Sequence, residues 1–324
     1  MTLAPDSLGP TICIGEILAE IVVTSIGEGF DQPLPMIGPF PSGAPAIFID
    51  QCARMGGSAA IVGAVGKDDF GRMNLTRLQD DGVDISGVIV SPDYPTGTAF
   101  VRYRPDGDRD FVFNLWTSAA GQLRWNDKVD DVVSRGGHLH IMGTAIGNGT
   151  VWPIVARAAH IIKQRGGSVS LDPNLRKELN GDADVKIMDV IKMTDLLLPS
   201  GDELYHAAGL SSDVNEKTAV AKLFASGVSE IAIKRGENGS SCYVSDGTIT
   251  HASAFGVTEV DPTGAGDCFG GAYVAARRLG LTTDEALTYA NAAGALNVTQ
   301  QGPMEGAATR EQLDGFIAAK RSDQ

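Results

Sequence analysis

The hydrophobic positions of this chain fall into short runs that switch repeatedly between two periods. Residues 11–15 (TICIG) form an apolar run of strand length, and 17–23 reads as its continuation. Residues 43–55 place Ala46, Ile49 and Cys52 or Ala53 at helical spacing. Residues 59–65 return to a continuous apolar run, and 70–81 is helical again, closed by Gly82. The next stretch breaks the rhythm. Residues 98–104 and 109–115 alternate one by one around Pro105-Asp106-Gly107-Asp108, which predicts a hairpin with no helix between its strands. Strand candidates at 138–142, 168–171, 196–198 and 230–234 then alternate with helices at about 150–165, 184–193 and 215–226. A hairpin near 240–251 and helices at about 264–280, 283–299 and 309–319 complete the chain. This alternation predicts an α/β fold: a doubly wound, mainly parallel sheet with helices on both faces. With no repeat or linker, residues 1–324 read as one domain, carrying a small β-sheet lid from about 18–40 and 96–116.

Composition narrows the function classes. Lys and Arg number 26 against 40 Asp and Glu, a net charge of −14, which argues against nucleic acid or an anionic membrane as the main partner. Four widely spaced cysteines (Cys13, Cys52, Cys242, Cys268) form no CxxC pair, so a zinc site or disulfide framework is not expected and a reducing compartment is. Neither a secretory signal nor an apolar run of spanning length is visible, so the expected location is the cytoplasm.

The chemistry concentrates in Asp261-Pro262-Thr263-Gly264-Ala265-Gly266-Asp267. A strand end at 257–260 is expected to turn through Asp-Pro into small residues and then a helix. Successive N–H groups at a helix N-terminus make an anion hole suited to a phosphate or a developing phosphoryl charge. Asp267, in the first helical turn, can take a proton from a hydroxyl attacking phosphorus. The bland alternative is a tight turn followed by an ordinary first-turn carboxylate. No GxxxxGK[ST] and no GxGxxG opening a helix is present.

The stretch 261–269 (DPTGAGDCF) resembles the signature of the ribokinase-like (PfkB) carbohydrate kinase family. Further matches occur in family order: Ser42-Gly43-Ala44-Pro45-Ala46, VGKDDFG at 65–71, GVD at 82–84, LDPNLR at 171–176 and KRGENG at 234–239. The resemblance spans about 11–306. It implies Asp267 as catalytic base, with Gly264, Ala265 and Gly266 as the anion hole. It also implies Asp261 and Thr263 as helpers of a monovalent cation (K⁺), completed by carbonyls around 297–302 and Gly306. Ser200 and Glu203 match an Asn-then-acid pair that handles nucleotide phosphate and water-held Mg²⁺. They can equally form a capping box. Lys234, Gly236 and Asn291 match nucleotide-pocket positions, although Asn291 can also be an exposed helical residue.

On the sugar side the resemblance implies Glu20, Gly43 and Arg176, with Arg102 or Arg104 available from the lid hairpin. Glu20 stands where most relatives carry Asp, and Ile47 where many carry Asn. DPNLR resembles fructokinases and 2-keto-3-deoxygluconate kinases. No arginine precedes Ser118-Ala119, where a carboxylate substrate would want one. The expectation is therefore transfer of the ATP γ-phosphoryl to a neutral ketohexose, D-tagatose or D-fructose, with Mg²⁺ and K⁺. The alternatives are the keto-acid, an already phosphorylated sugar, and a non-catalytic sugar-binding regulator. A homodimer through the lid is also implied.

Overall fold

The computed structural model describes residues 3–106, 108–174 and 183–322. The strands are β1 (Thr11–Ile14), β2 (Leu18–Val23), β3 (Met36–Ser42), β4 (Ala59–Gly66), β5 (Asp84–Ser91), β6 (Gly97–Tyr103), β7 (Arg109–Asn114), β8 (His138–Met142), β9 (Ser168–Asp172), β10 (Leu196–Leu197), β11 (Glu230–Lys234), β12 (Ser240–Val244) and β13 (Ile249–Ala252). The helices are α1 (Ala44–Arg54), α2 (Asp69–Asp80), α3 (Asp127–Ser134), α4 (Gly143–Gly147), α5 (Trp152–Gln164), α6 (Ala183–Ile191), α7 (Glu203–Ala207), α8 (Glu216–Ala225), α9 (Ala265–Arg278), α10 (Thr283–Asn297) and α11 (Arg310–Ser322).

Nine strands form the main sheet in the order β13-β12-β11-β10-β9-β8-β1-β4-β5, parallel except at β12, which runs antiparallel to both its neighbours. Alternate residues of one strand feed opposite faces: Cys13 and Ile61 pack into the core under α1, α9 and α10, while Ile12, Ile14, Ala60 and Val62 pack into the core under α3, α5 and α8. The ribokinase-like α/β expectation holds. Chain order reverses between β1 and β8, so the crevice beyond their C-terminal ends is the natural ligand site.

The second sheet has the order β3-β2-β6-β7. Here the expectation needs correction, because 17–23 does not continue the first strand. The chain leaves the main sheet at Gly15, where a Cβ would lie 2.6 Å from Pro45 Cγ, and β2 joins β3 and β6 instead. The hairpin is paired as expected, with Tyr103 opposite Arg109 and Arg102 opposite Asp110. Residues 257–260 are not a strand either. Leaving β13, the chain runs extended without sheet partners, and Val260 N and Asp261 N both donate to Val298 O at the end of α10.

Helix α9 is held at its far end by two arginines. Arg277 pairs with buried Glu230 at 2.9 Å, and Arg278, 2% exposed, donates to the carbonyls of Ala4, Pro5 and Gly9 and to Thr11 Oγ1. No helix among the described residues is long and apolar enough to cross a membrane.

Candidate active site

Gly264 is the N-cap of α9, with φ +82°, a left-handed conformation that glycine adopts without strain. A Cβ there would sit 2.3 Å from Pro303 O, so the close approach of two backbones also demands glycine. The helix then starts at Ala265, and Asp267 enters its first turn, 8% exposed. A cavity opens on each side of this loop.

One cavity lies under the second sheet, lined by Glu16, Glu20, Ser42, Gly43, Ile47, Arg109, Phe111, Phe113, Thr144, Asn174, Gly264 and Asp267 among others. Its free space is about 60 Å³, room for a few water molecules. Glu20, 4% exposed, accepts from Ser42 Oγ at 2.9 Å. Glu16 accepts from Thr144 Oγ1 at 2.9 Å, and burial pushes its carboxyl above the ordinary value against that bond. Gly43 is the N-cap of α1, and a Cβ there would lie 2.5 Å from Glu16 O.

The lid arginines are not placed as expected. Arg102, 6% exposed, points to the other face of the hairpin, where it donates to the carbonyls of Ser25, Glu28 and Gly29. Arg104 pairs with Asp110. It is Arg109, cross-strand from Tyr103 and sharing its face, that reaches the pocket. Strand parity carries the signal: Ala99, Val101 and Tyr103 form the inward row, so even-numbered Arg102 cannot share it. Arg176 lies outside the described residues.

The other cavity, about 650 Å³, is lined by Lys234, Gly236, Phe255, Pro262, Ala265, Gly266, Phe269, Asn291 and Val298 among others. Asn291 is 8% exposed rather than a surface residue, and its Nδ2 donates to Ala252 O and Ser253 O, bracing the cavity wall. Lys234 and Ser200 form a bridge between neighbouring strand ends. Glu203 accepts from Ser200 N at 2.8 Å and Ser200 Oγ at 2.7 Å, but it is the first residue of α7 with Asp202 as N-cap, so the expected capping box does not form. Lys234 Nζ donates to Asp172 Oδ2 at 2.5 Å and stands 3.7 Å from where a Gly266 Cβ would be. Burial works to lower the Lys234 ammonium, but the charges of Asp172 and Glu203 outweigh it and hold its pKa above the usual value. Burial pushes Asp172 up to about 6, the ammonium opposing.

Asp261 is fully buried and engaged on both oxygens: Oδ1 accepts from Tyr103 OH (2.5 Å) and Thr263 N (3.0 Å), Oδ2 from Gln301 Nε2 (2.7 Å) and Gly302 N (3.0 Å). Thr263 Oγ1 faces Tyr103 OH at 2.7 Å, and Thr263 O accepts from Asn297 Nδ2 at 2.7 Å. Asn297 Oδ1 is buried with no hydrogen-bond partner among the described residues.

Residues 13–310 match the pfkB family carbohydrate kinase model. The chain belongs to the pfkB family of carbohydrate kinases. It is 32% identical to fructokinase-1 of Oryza sativa subsp. japonica over 316 residues, covering 93% of this chain and 95% of that one. A putative ribokinase II of E. coli, solved in complex with ATP and Mg²⁺, is 43% identical with a TM-score of 0.87, over 96% of this chain and 99% of that one. A double-mutant fructokinase of Vibrio cholerae O395 in a fructose-, ADP- and potassium-bound form is 26% identical with a TM-score of 0.77, over 95% and 99%. This pfkB protein is thus a sugar kinase. The sequence singles out 261–267, which lies between the two cavities, but not Glu16, Arg109 and Asn174, which line the first, nor Tyr103, which bonds to Asp261 and Thr263.

Proposed function

We propose that this pfkB kinase transfers the γ-phosphoryl of ATP to a hydroxyl of a neutral ketohexose of the D-fructose or D-tagatose type. The observation that carries this reading is the pair of cavities abutting at 264–267: a carboxylate-lined pocket on one side and a larger apolar-walled one on the other. Glu16 and Glu20 suit sugar hydroxyls, which donate to carboxylates. The relatives support fructose over tagatose. ATP occupies the larger cavity in this reading, between Phe255, Asn291 and Val298, with its phosphates directed at Lys234 and the amides of Gly264–Gly266.

Asp267 accepts the proton of the attacking hydroxyl as its oxygen bonds to phosphorus and the bond to ADP breaks. The 264–267 amides and Lys234 stabilise charge on the transferred group. Glu203, an oxygen donor held by Ser200, fits a hydrated Mg²⁺, which when bound neutralises the phosphate oxygens. The orphaned Asn297 Oδ1 beside the Asp261 loop fits a monovalent cation, with Asp261 and the nearby carbonyls as the remaining donors. A lid-mediated homodimer belongs to the same reading, supported by exposed Met36, Ile37 and Val112 on the lid sheet. A monomer in sedimentation velocity would remove it.

A second reading has one observation in its favour. Arg109 supplies the pocket with the cation that an anionic substrate such as a keto-acid needs, so the missing arginine before Ser118 is no longer an argument against it. ADP release measured with D-fructose, D-tagatose, 2-keto-3-deoxygluconate, D-ribose and fructose 6-phosphate separates the readings. Turnover of a neutral ketohexose alone is expected. A preference for the keto-acid would transfer the assignment to the second reading, and tight sugar binding without turnover would make the protein a regulator.

A further inference from the structure

Asn174 is the one non-glycine residue among those described with a positive φ, +37°. Asparagine tolerates this conformation better than most residues, but it persists only where the surroundings hold it. They do so here. Asn174 N donates to Asp172 Oδ1 at 3.1 Å. Pro173 O presses so closely on the start of α4 that a Cβ on Gly143 would lie 1.6 Å from it. The held side chain, 8% exposed, donates from Nδ2 to Asp267 Oδ1 at 3.2 Å, across 93 positions of sequence. The other oxygen of Asp172 takes Lys234 Nζ, at the far side of the anion loop.

We infer that the Asp172-Pro173-Asn174 turn is a positioning device. Asn174 orients the carboxylate of Asp267 towards the acceptor hydroxyl, while Asp172 fixes Lys234 over the anion loop, so one turn sets the proton acceptor and the phosphoryl-facing cation in register. The inference rests on the reading of Asp267 as the base. Both residues act through another group, Asn174 through Asp267 and Asp172 through Lys234, and neither is itself the proton acceptor.

The test compares Asn174→Gly and Asn174→Asp with the wild-type protein in the ADP-release assay, with thermal unfolding measured alongside. Glycine keeps the backbone conformation and removes the amide. Aspartate keeps the shape, removes the donor and sets a second negative charge against Asp267. A positioning role predicts kcat about tenfold to a hundredfold lower in the glycine variant, KM for sugar and ATP within twofold, and an unchanged Tm. It also predicts that aspartate is worse than glycine. A mere packing role predicts the reverse order, since aspartate fills the space. The inference is overturned if the glycine variant keeps kcat within twofold, if aspartate outperforms glycine, or if the loss tracks a fall in Tm. Asp267→Asn separates the two layers. If that variant turns over at the wild-type rate, the base assignment fails. If it is inactive while Asn174→Gly is normal, only the positioning role fails.

Discussion

Tyr103→Phe removes a pair of contacts between the lid sheet and the loop at 261–263. The phenol of Tyr103, at the end of β6, reaches Asp261 Oδ1 at 2.5 Å and Thr263 Oγ1 at 2.7 Å. Burial, and then the hydrogen bond to Asp261, hold this phenol well above the ordinary tyrosine value, so it remains a donor at any workable pH. Phenylalanine keeps the ring and its packing. Asp261 keeps Thr263 N, Gln301 Nε2 and Gly302 N, so no carboxylate is left bare. The main loss is the hydrogen bond to the charged Asp261, about 1.5–3 kcal/mol, and the contact with Thr263 Oγ1 goes with it. If that bond forms only when the lid is down, the closed-to-open ratio falls roughly tenfold to a hundredfold. Hydrogen–deuterium exchange reads this directly: amides of 97–114 should lose protection by that factor while those of β1, β8 and β9 keep theirs. Sugar-independent ATP hydrolysis should rise as water gains access. Unchanged exchange in 97–114, or a loss of protection spread evenly over both sheets, would refute the latch.

Asp172 gives the pH dependence. Its folded-state pKa of about 6 lies above the unfolded carboxylate value, so its contribution to stability is full below the unfolded value and lost as pH rises through 6. Activity runs the other way, because a neutral Asp172 no longer pairs with Lys234. An acidic limb in kcat near pH 6, without a matching fall in Tm, is expected, and Asp172→Asn should be slow at pH 7.5 and lack that limb. Gly264→Ala should cost about 1–3 kcal/mol from its left-handed backbone alone, with the overlap on Pro303 O adding to it, and guanidinium unfolding measures this. Arg102→Gln should lower stability by about 1–3 kcal/mol with sugar KM unchanged. Arg109→Gln should do the opposite, and a sugar KM that follows Arg102 instead would reverse the assignment of hairpin faces.

The main sheet was legible because its strands are buried on both faces and therefore read as plain apolar runs, as at 59–65. The strand that did not announce itself is β5: only Gly87 and Val88 are buried along it, with Ser86 and Val90 exposed, so it shows neither an apolar run nor a clean alternation. Residues 257–260 (VTEV) match a strand end in sequence, yet they find no sheet partner. The turn at 261–267 was legible because its small residues answer a local demand, a left-handed turn opening a helix. Asn174 and Tyr103 were not, since each acts on a loop more than 90 positions away and no local pattern encodes that distance. Arg102 faces away from the pocket because of its strand parity, which the presence of a basic residue in the hairpin does not reveal.

Helix α9, 14 residues long, carries Asp267 in its first turn and Arg277 and Arg278 in its last, roughly 15 Å along the axis. Arg278 grips the carbonyls of Ala4, Pro5 and Gly9, so residues 4–9 anchor the rod whose opposite end carries Asp267, the proton acceptor of the proposed reaction. In the proposed reaction the phosphoryl side of the site is in that sense an anvil, braced from the far end of α9 by the protein's own contacts. One practical consequence concerns the N-terminus: trimming or fusing within residues 4–9 tugs on the anvil from behind. Such changes would register in turnover while leaving every pocket-lining side chain untouched.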